Sequence, residues 1–216
     1  RTIKYLIGIV VVVGLLVGGI GYYVWQVHRG QIIQDKIEKA FAKSHPNLKL
    51  RIGKCRFDNL RRVTIDDIRV SIRGESRPLT TIPHMVVTIN KDKLIDEQQL
   101  VIEKVLLTKP QLELTRTADG EWSWDKLPKI VESDKKDSLP KIEIENGTVT
   151  LRIQEHSNGP FVELTMKNID LTLSPSGKNL FRVVGTTLVE RAGLLQIDGE
   201  FDGKQRIGHL NGTLMD

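Results

Sequence analysis

The residues able to do chemistry are few and badly placed for it. His28, His45, His84, His156 and His209 are scattered along the 216 residues with no carboxylate or second histidine at ligand spacing, which leaves metal binding and general-base catalysis without support. Serine, aspartate and histidine occur without a nucleophile elbow, and no glycine-rich loop links a strand to a helix as a phosphate cradle. Asn90-Lys91-Asp92-Lys93 with Asp96 lacks the glycine and final glutamate of a calcium loop and reads as a helix start. The sequons at Asn146-Gly147-Thr148 and Asn211-Gly212-Thr213 read as turn residues. Cys55 is the only cysteine, so no intrachain disulfide forms. Its basic flanks, Lys54 and Arg56, would lower its pKa at the surface, whereas burial would make it a small apolar residue. No catalytic, cofactor or metal residue is expected, and the chain does not read as an enzyme.

One charged feature stands out. Residues 49–77 hold Lys49, Arg51, Lys54, Arg56, Arg61, Arg62, Arg69, Arg73 and Arg77 against Asp58, Asp66, Asp67 and Glu75. Such a surplus favours anionic headgroups or phosphate, with Arg56, Arg61 and Arg62 as headgroup candidates. The same stripe could instead be a solvated strand face that discourages edge pairing. The whole-chain charge of +5 says less. Without Arg1, Lys4 and Arg29, 29 basic residues remain against 27 acidic ones. Nucleic acid is a poor partner for a domain placed outside the cytoplasm.

That placement follows from residues 5–27, YLIGIVVVVGLLVGGIGYYVWQV, a run of 23 residues without a charge. At about 1.5 Å per residue it crosses a hydrocarbon core of about 30 Å. It is longer than a signal-peptide core and ends in Tyr22, Tyr23 and Trp25, the aromatic belt of an interface. Arg1 and Lys4 precede it and Arg29 follows, a weak bias toward a cytoplasmic N-terminus. Gly14 and Gly18 make a GxxxG spacing through which two anchors could pair. The expected organisation is an anchor over residues 1–29, an amphipathic juxtamembrane helix over 30–47 and a β domain over 48–216 that continues beyond residue 216.

Within residues 31–43, Ile33, Ile37, Ala40 and Phe41 recur at helical spacing, and Ser44-His45-Pro46-Asn47 ends the pattern. From Leu48 onward the apolar period is two, broken by short helices expected at 91–99 and 125–131 and by a charged loop, 132–138. The strands share a change of parity. Val63 and Ile65 give way to Ile68, Val70 and Ile72 at Asp66-Asp67. Val105 and Leu107 give way to Leu112 and Leu114 at Lys109-Pro110. Ile142 and Ile144 give way to Val149, Leu151 and Ile153 around Asn146-Gly147. Leu164 and Met166 give way to Ile169, Leu171 and Leu173 at Lys167-Asn168. A bulge at each switch would keep one face apolar and bend the sheet; alternatively each switch marks a corner or hairpin. The fold class is mainly β with a few helices: a transmembrane helix, then a curved, mostly antiparallel sheet. The apolar face is either the dry core of a closed sandwich or a half-open groove suited to acyl chains.

Residues 101–127 add a motif. Lys109-Pro110-Gln111-Leu112-Glu113-Leu114 is a strand that starts on proline, and Asp119-Gly120-Glu121-Trp122-Ser123-Trp124-Asp125-Lys126-Leu127 is a turn with paired tryptophans. The next strand is Ile142-Glu143-Ile144-Glu145-Asn146-Gly147-Thr148-Val149. With an N-terminal membrane helix ahead of it, this run resembles the AsmA-like family of bacterial envelope proteins over roughly residues 1–175, with Pro110, Asp119, Gly120, Trp122, Trp124 and Leu127 carrying the match. Ser123 stands where that family commonly has asparagine. The family is related to bridge-like lipid transfer proteins, whose stacked β units form a hydrophobic groove. The resemblance therefore implies a single-pass protein of the bacterial inner membrane, its bulk periplasmic, that holds or moves phospholipid toward the outer membrane. The groove candidates are Val63, Ile65, Ile68, Val70, Ile72, Leu112, Leu114, Val149, Leu151, Ile153, Ile169 and Leu171. The rival reading is a membrane-anchored scaffold or assembly factor that binds envelope proteins at its open edge and has no lipid path.

Overall fold

The computed structural model describes residues 30–59, 61–75, 77–97, 99, 101–123, 139–157, 159–177, 180–190, 192–202 and 207–215. The expected anchor with Gly14 and Gly18, the helix expected at 125–131, the charged loop, and Trp124 and Leu127 lie outside the described residues. Among the described residues no helix is long and apolar enough to cross a membrane.

Helix α1, Gly30–Ser44, forms where the helical spacing predicts it. Ile37 and Phe41, one turn apart, are completely buried, and the Phe41 ring stacks on His45 at 4.7 Å. Helix α2, Lys91–Asp96, is shorter than expected and starts on Asn90, whose side chain accepts from the Lys93 amide at 2.9 Å. That is an N-cap, not a calcium loop.

Among the described residues eleven strands form one sheet: β1 Leu48–Arg51, β2 Lys54–Asn59, β3 Arg62–Ile72, β4 Pro78–Ile89, β5 Ile102–Thr108, β6 Gln111–Arg116, β7 Lys141–Gln154, β8 Phe161–Gly177, β9 Leu180–Val189, β10 Gly193–Asp202 and β11 Ile207–Met215. The order is β1-β3-β4-β5-β7-β8-β9-β10-β11, with β2 on β3 and β6 between β4 and β7. The pairing is mostly antiparallel, as expected, but the sheet is mixed: β7 runs parallel to both β5 and β6. Residues 117–140 supply the long connection that a parallel return requires.

The parity switches fall on one line across the sheet. Asp67, Lys109, Asn146 and Asn168 have φ of 55°, 54°, 56° and 51°, the left-handed region that Asn and Asp enter most readily. Registers align them. Thr108 faces Glu145 and Gln111 faces Thr148, so Lys109 lies level with Asn146. Asp66 faces His84 and Ile68 faces Ile82, which sets Asp67 opposite Pro83. β1 and β2 share one register along β3, with Gly53 opposite Asp67. A Cβ at Gly53 would come within 2.6 Å of the Asp67 Cβ, so only glycine fits there.

Each of these residues resets the alternation. Ile52 then Cys55, Ile65 then Ile68, Ile82 then Met85, and Leu107 then Leu112 are all buried on either side of the line. The bulge expectation holds at Asn146 and Asn168, where the register shifts within one strand; at Asp67 the strand also runs through, but its register against β4 is unbroken. At Lys109-Pro110 the strand is interrupted but its register against β7 continues. The buried residues form a single aliphatic cluster that takes in α1.

Candidate functional site

Two surfaces follow from this sheet. The first is its apolar face. Val63, Ile65, Ile68, Val70, Ile72, Leu112, Leu114, Ile169 and Leu171 all belong to the buried cluster. They are core in this structure, so no open wall is formed by them. Val149, Leu151 and Ile153 are half-buried. The face opens just beyond them. Ile153 faces Val162 and Leu151 faces Leu164, and these partners are 57% and 39% exposed.

Farther along, Phe181, Val183, Gly185 and Thr187 of β9 face Phe201, Gly199, Ile197 and Leu195 of β10. Those in turn face Gly208, Leu210, Gly212 and Leu214 of β11. Burial fades along this path, from Val183 at 0% to Leu210 at 46% and Leu214 at 56%. All nine residues of β11 are exposed. Val162, Leu164, Leu210 and Leu214 were not among the groove candidates, although Leu164 belongs to a parity switch visible in sequence and the alternation of 207–215 carried the signal for Leu210 and Leu214.

The second surface is the opposite, polar face. The headgroup candidate Arg56 is neutralised within the fold: Nε lies 3.4 Å from Asp58 Oδ1, and Nη1 lies 3.4 Å from Asp66 Oδ2. Asp66 also reaches His84 Nδ1 at 2.7 Å, and the Thr64 hydroxyl donates to Asp58 at 2.6 Å. The carboxylate partner of His84 thus comes from a neighbouring strand, a pairing that linear spacing cannot show. Arg61 and Arg62 sit at the β2–β3 turn, where the Arg61 amide donates to Asn59 Oδ1 at 2.8 Å. The three candidates therefore do not form one free cluster. Arg51 and Arg69, in contrast, face each other directly across β1 and β3.

Cys55 is buried, and burial, reinforced by the nearby Asp66 charge, pushes its thiol up to about 11. This rules out thiolate activation by its basic flanks. Around the aromatic motif, Pro110 is buried and Gly120 takes a φ of 82° in the turn, its amide donating to the Thr117 carbonyl at 2.9 Å. Asp119 is exposed at the same turn. Trp122 bridges to Arg116 and packs half-buried against the core, with the Arg116 guanidinium 5.9 Å from its ring centroid. The Thr115 amide donates to the Ser123 hydroxyl at 3.1 Å, fixing the return of the turn.

A cleft of about 320 Å³ on the polar side includes Arg77, Glu113, Thr115, Ser123 and Arg152. Glu113 Oε1 takes both guanidiniums, at 3.3 Å and 3.2 Å, so the cleft offers no free cation pair. Among the described residues no three of His, Cys, Asp and Glu are placed to hold a metal ion. No protein-family model matches the chain, and no curated protein matches it either.

Proposed function

We propose that this chain is an AsmA-like, inner-membrane-anchored periplasmic protein that binds phospholipid acyl chains on the open half of its apolar sheet face and conducts them toward the outer membrane. In this reading the sheet is curved and half-open. The observation that carries it is the fading burial of the apolar face, from Val183 at 0% across β10 to Leu210 at 46% and Leu214 at 56% on β11, closed at the core end and open at the other. Each methylene buried there contributes about 0.8 kcal/mol without directional contacts, which suits an occupant with long apolar chains. The fit to residues 101–123 and the uncharged run at 5–27 support the same reading.

Native mass spectrometry of the full chain, extracted gently from bacterial membranes, tests it. Bound phospholipid is expected, and Leu210→Asp with Leu214→Asp should remove most of it while the sheet stays folded. Lipid-free wild-type protein would sink the proposal. The second reading, a scaffold that binds envelope proteins, draws on the wholly exposed edge strand β11, whose free backbone groups can pair with an added strand. A stable protein partner on lipid-free material would favour it.

A further inference from the structure

We infer that Arg51 and Arg69, with Lys49 beside them, form a contact site for the phosphate of an anionic phospholipid headgroup; this rests on the lipid-binding reading above. β1 and the segment of β3 that pairs with it, LKLR against RVSI, carry three cations and no carboxylate. Arg51 and Arg69 are directly opposed cross-strand partners and therefore point to the same face. Both are exposed, as is Lys49. Neither arginine has an ion pair among the described residues, although Arg56, Arg77, Arg152 and Arg182 on the same sheet each have one. Like charges set directly opposite one another weaken a strand pair, so the fold gains nothing from this arrangement by itself. A phosphate between two guanidinium forks removes the repulsion and satisfies both.

Position singles out a lipid. The Gln34 amide donates to the carbonyls of Ile52 and Gly53, the latter at 2.6 Å. Glu38 accepts from the Ile52 amide at 2.8 Å. Gln34 is about 6 Å along the helix from its first residue, Gly30. The membrane run expected from sequence ends at residue 27. The end of β1 that carries Arg51 is thereby pinned to the first turns of α1, the helix that follows that run directly in sequence.

The test is competition native mass spectrometry on the full chain in mild detergent, offered equal amounts of phosphatidylglycerol and phosphatidylcholine. Wild type should retain phosphatidylglycerol preferentially, and Arg51→Gln with Arg69→Gln should lower the ratio at least about fivefold. That floor is the factor for about 1 kcal/mol, the contribution of a single cation at an anionic surface. Arg51→Lys with Arg69→Lys should keep part of the preference, and Arg182→Gln all of it. The double glutamine variant should melt no lower than wild type, because a repulsion has been removed. An unchanged ratio in that variant overturns the inference while leaving lipid binding intact. A wild type that keeps both lipids without preference does the same, whereas a wild type that keeps neither overturns the underlying reading as well. Displacement of phosphatidylglycerol by millimolar inorganic phosphate would assign the site to free anion and overturn the lipid assignment.

Discussion

The strands before and after β7 use the same aliphatic alternation to opposite ends. In β3 the residues on the apolar face are fully enclosed, from Val63 to Val70, whereas in β11 Leu210 and Leu214 stand in solvent. Nothing in the local pattern separates them. What differs is what lies across the face: Ile37 and Phe41 of α1 join the cluster over the first strands. Among the described residues, the aliphatic face is thus core where an element covers it and exposed where none does.

The largest effect that could break this comparison comes from placing the same charge in each half. Leu114→Asp puts a carboxylate at a site 2% exposed, where an unpaired buried charge costs on the order of 4 kcal/mol, enough to unfold a domain of ordinary stability. Leu214→Asp should shift the denaturation midpoint by less than about 0.5 kcal/mol. Chemical denaturation of both variants reads the difference, and equal losses would mean the two halves are one core.

Next comes the line of resets. A valine at Asn168 must adopt a φ of 51°, so Asn168→Val should cost about 1–2 kcal/mol while Asn168→Gly is neutral or mildly stabilising. Gly185 belongs to the same test in the second half. A Cβ there would sit 2.1 Å from the Asp170 carbonyl oxygen, and Gly185→Ala should cost more than Asn168→Val because a backbone atom has to move. If both substitutions are silent in thermal melts, the resets are not fixed by these residues.

An effect confined to alkaline pH belongs to the covered half alone. The Cys55 thiol is raised from 9.0 to about 11 by burial. Below pH 9 folded and unfolded forms are both protonated and pH has no leverage here. Between pH 9 and 11 the unfolded thiol ionises and the folded one does not, so stability falls, by up to about 3 kcal/mol. Cys55→Ala should flatten that part of the pH curve, and wild-type Cys55 should resist alkylation at pH 8 until the protein unfolds.

These positions also show how far the sequence could be read. Asp67, Lys109, Asn146 and Asn168 were visible because apolar residues on both sides announce a change of parity. Gly53 and Pro83 do the same job but were overlooked, since β1 and β2 are short and Thr80 dilutes the signal in β4. The parallel return of β7 was not legible because alternation carries no strand direction. Nor was the meeting of Arg51 with Arg69, which register alone creates. Burial escaped for the same reason: Leu114 and Leu214 look alike until the rest of the chain is in place.

The smallest effect compares ion pairs on the polar side of each half. Glu143 in β7 lies between Lys104 Nζ at 2.5 Å and Lys141 Nζ at 2.8 Å, with its side chain 18% exposed. Hydrogen bonds from Lys104 and then Lys141 hold its carboxyl below the usual carboxylate range, against a smaller opposing push from burial. Since the folded pKa is depressed, its contribution is present above the unfolded value near 4.5 and is lost as pH falls through the folded one. Arg182 and Asp198 in β9 and β10 are 3.6 Å apart and mostly exposed, so solvent screens them. Glu143→Gln should therefore cost about 0.5–1 kcal/mol at pH 7 and almost nothing at pH 3, while Asp198→Asn should be silent at both. Urea midpoints of the two variants at the two pH values decide it. A pH-dependent loss in Asp198→Asn equal to that in Glu143→Gln would show that the second half is as tightly packed as the first.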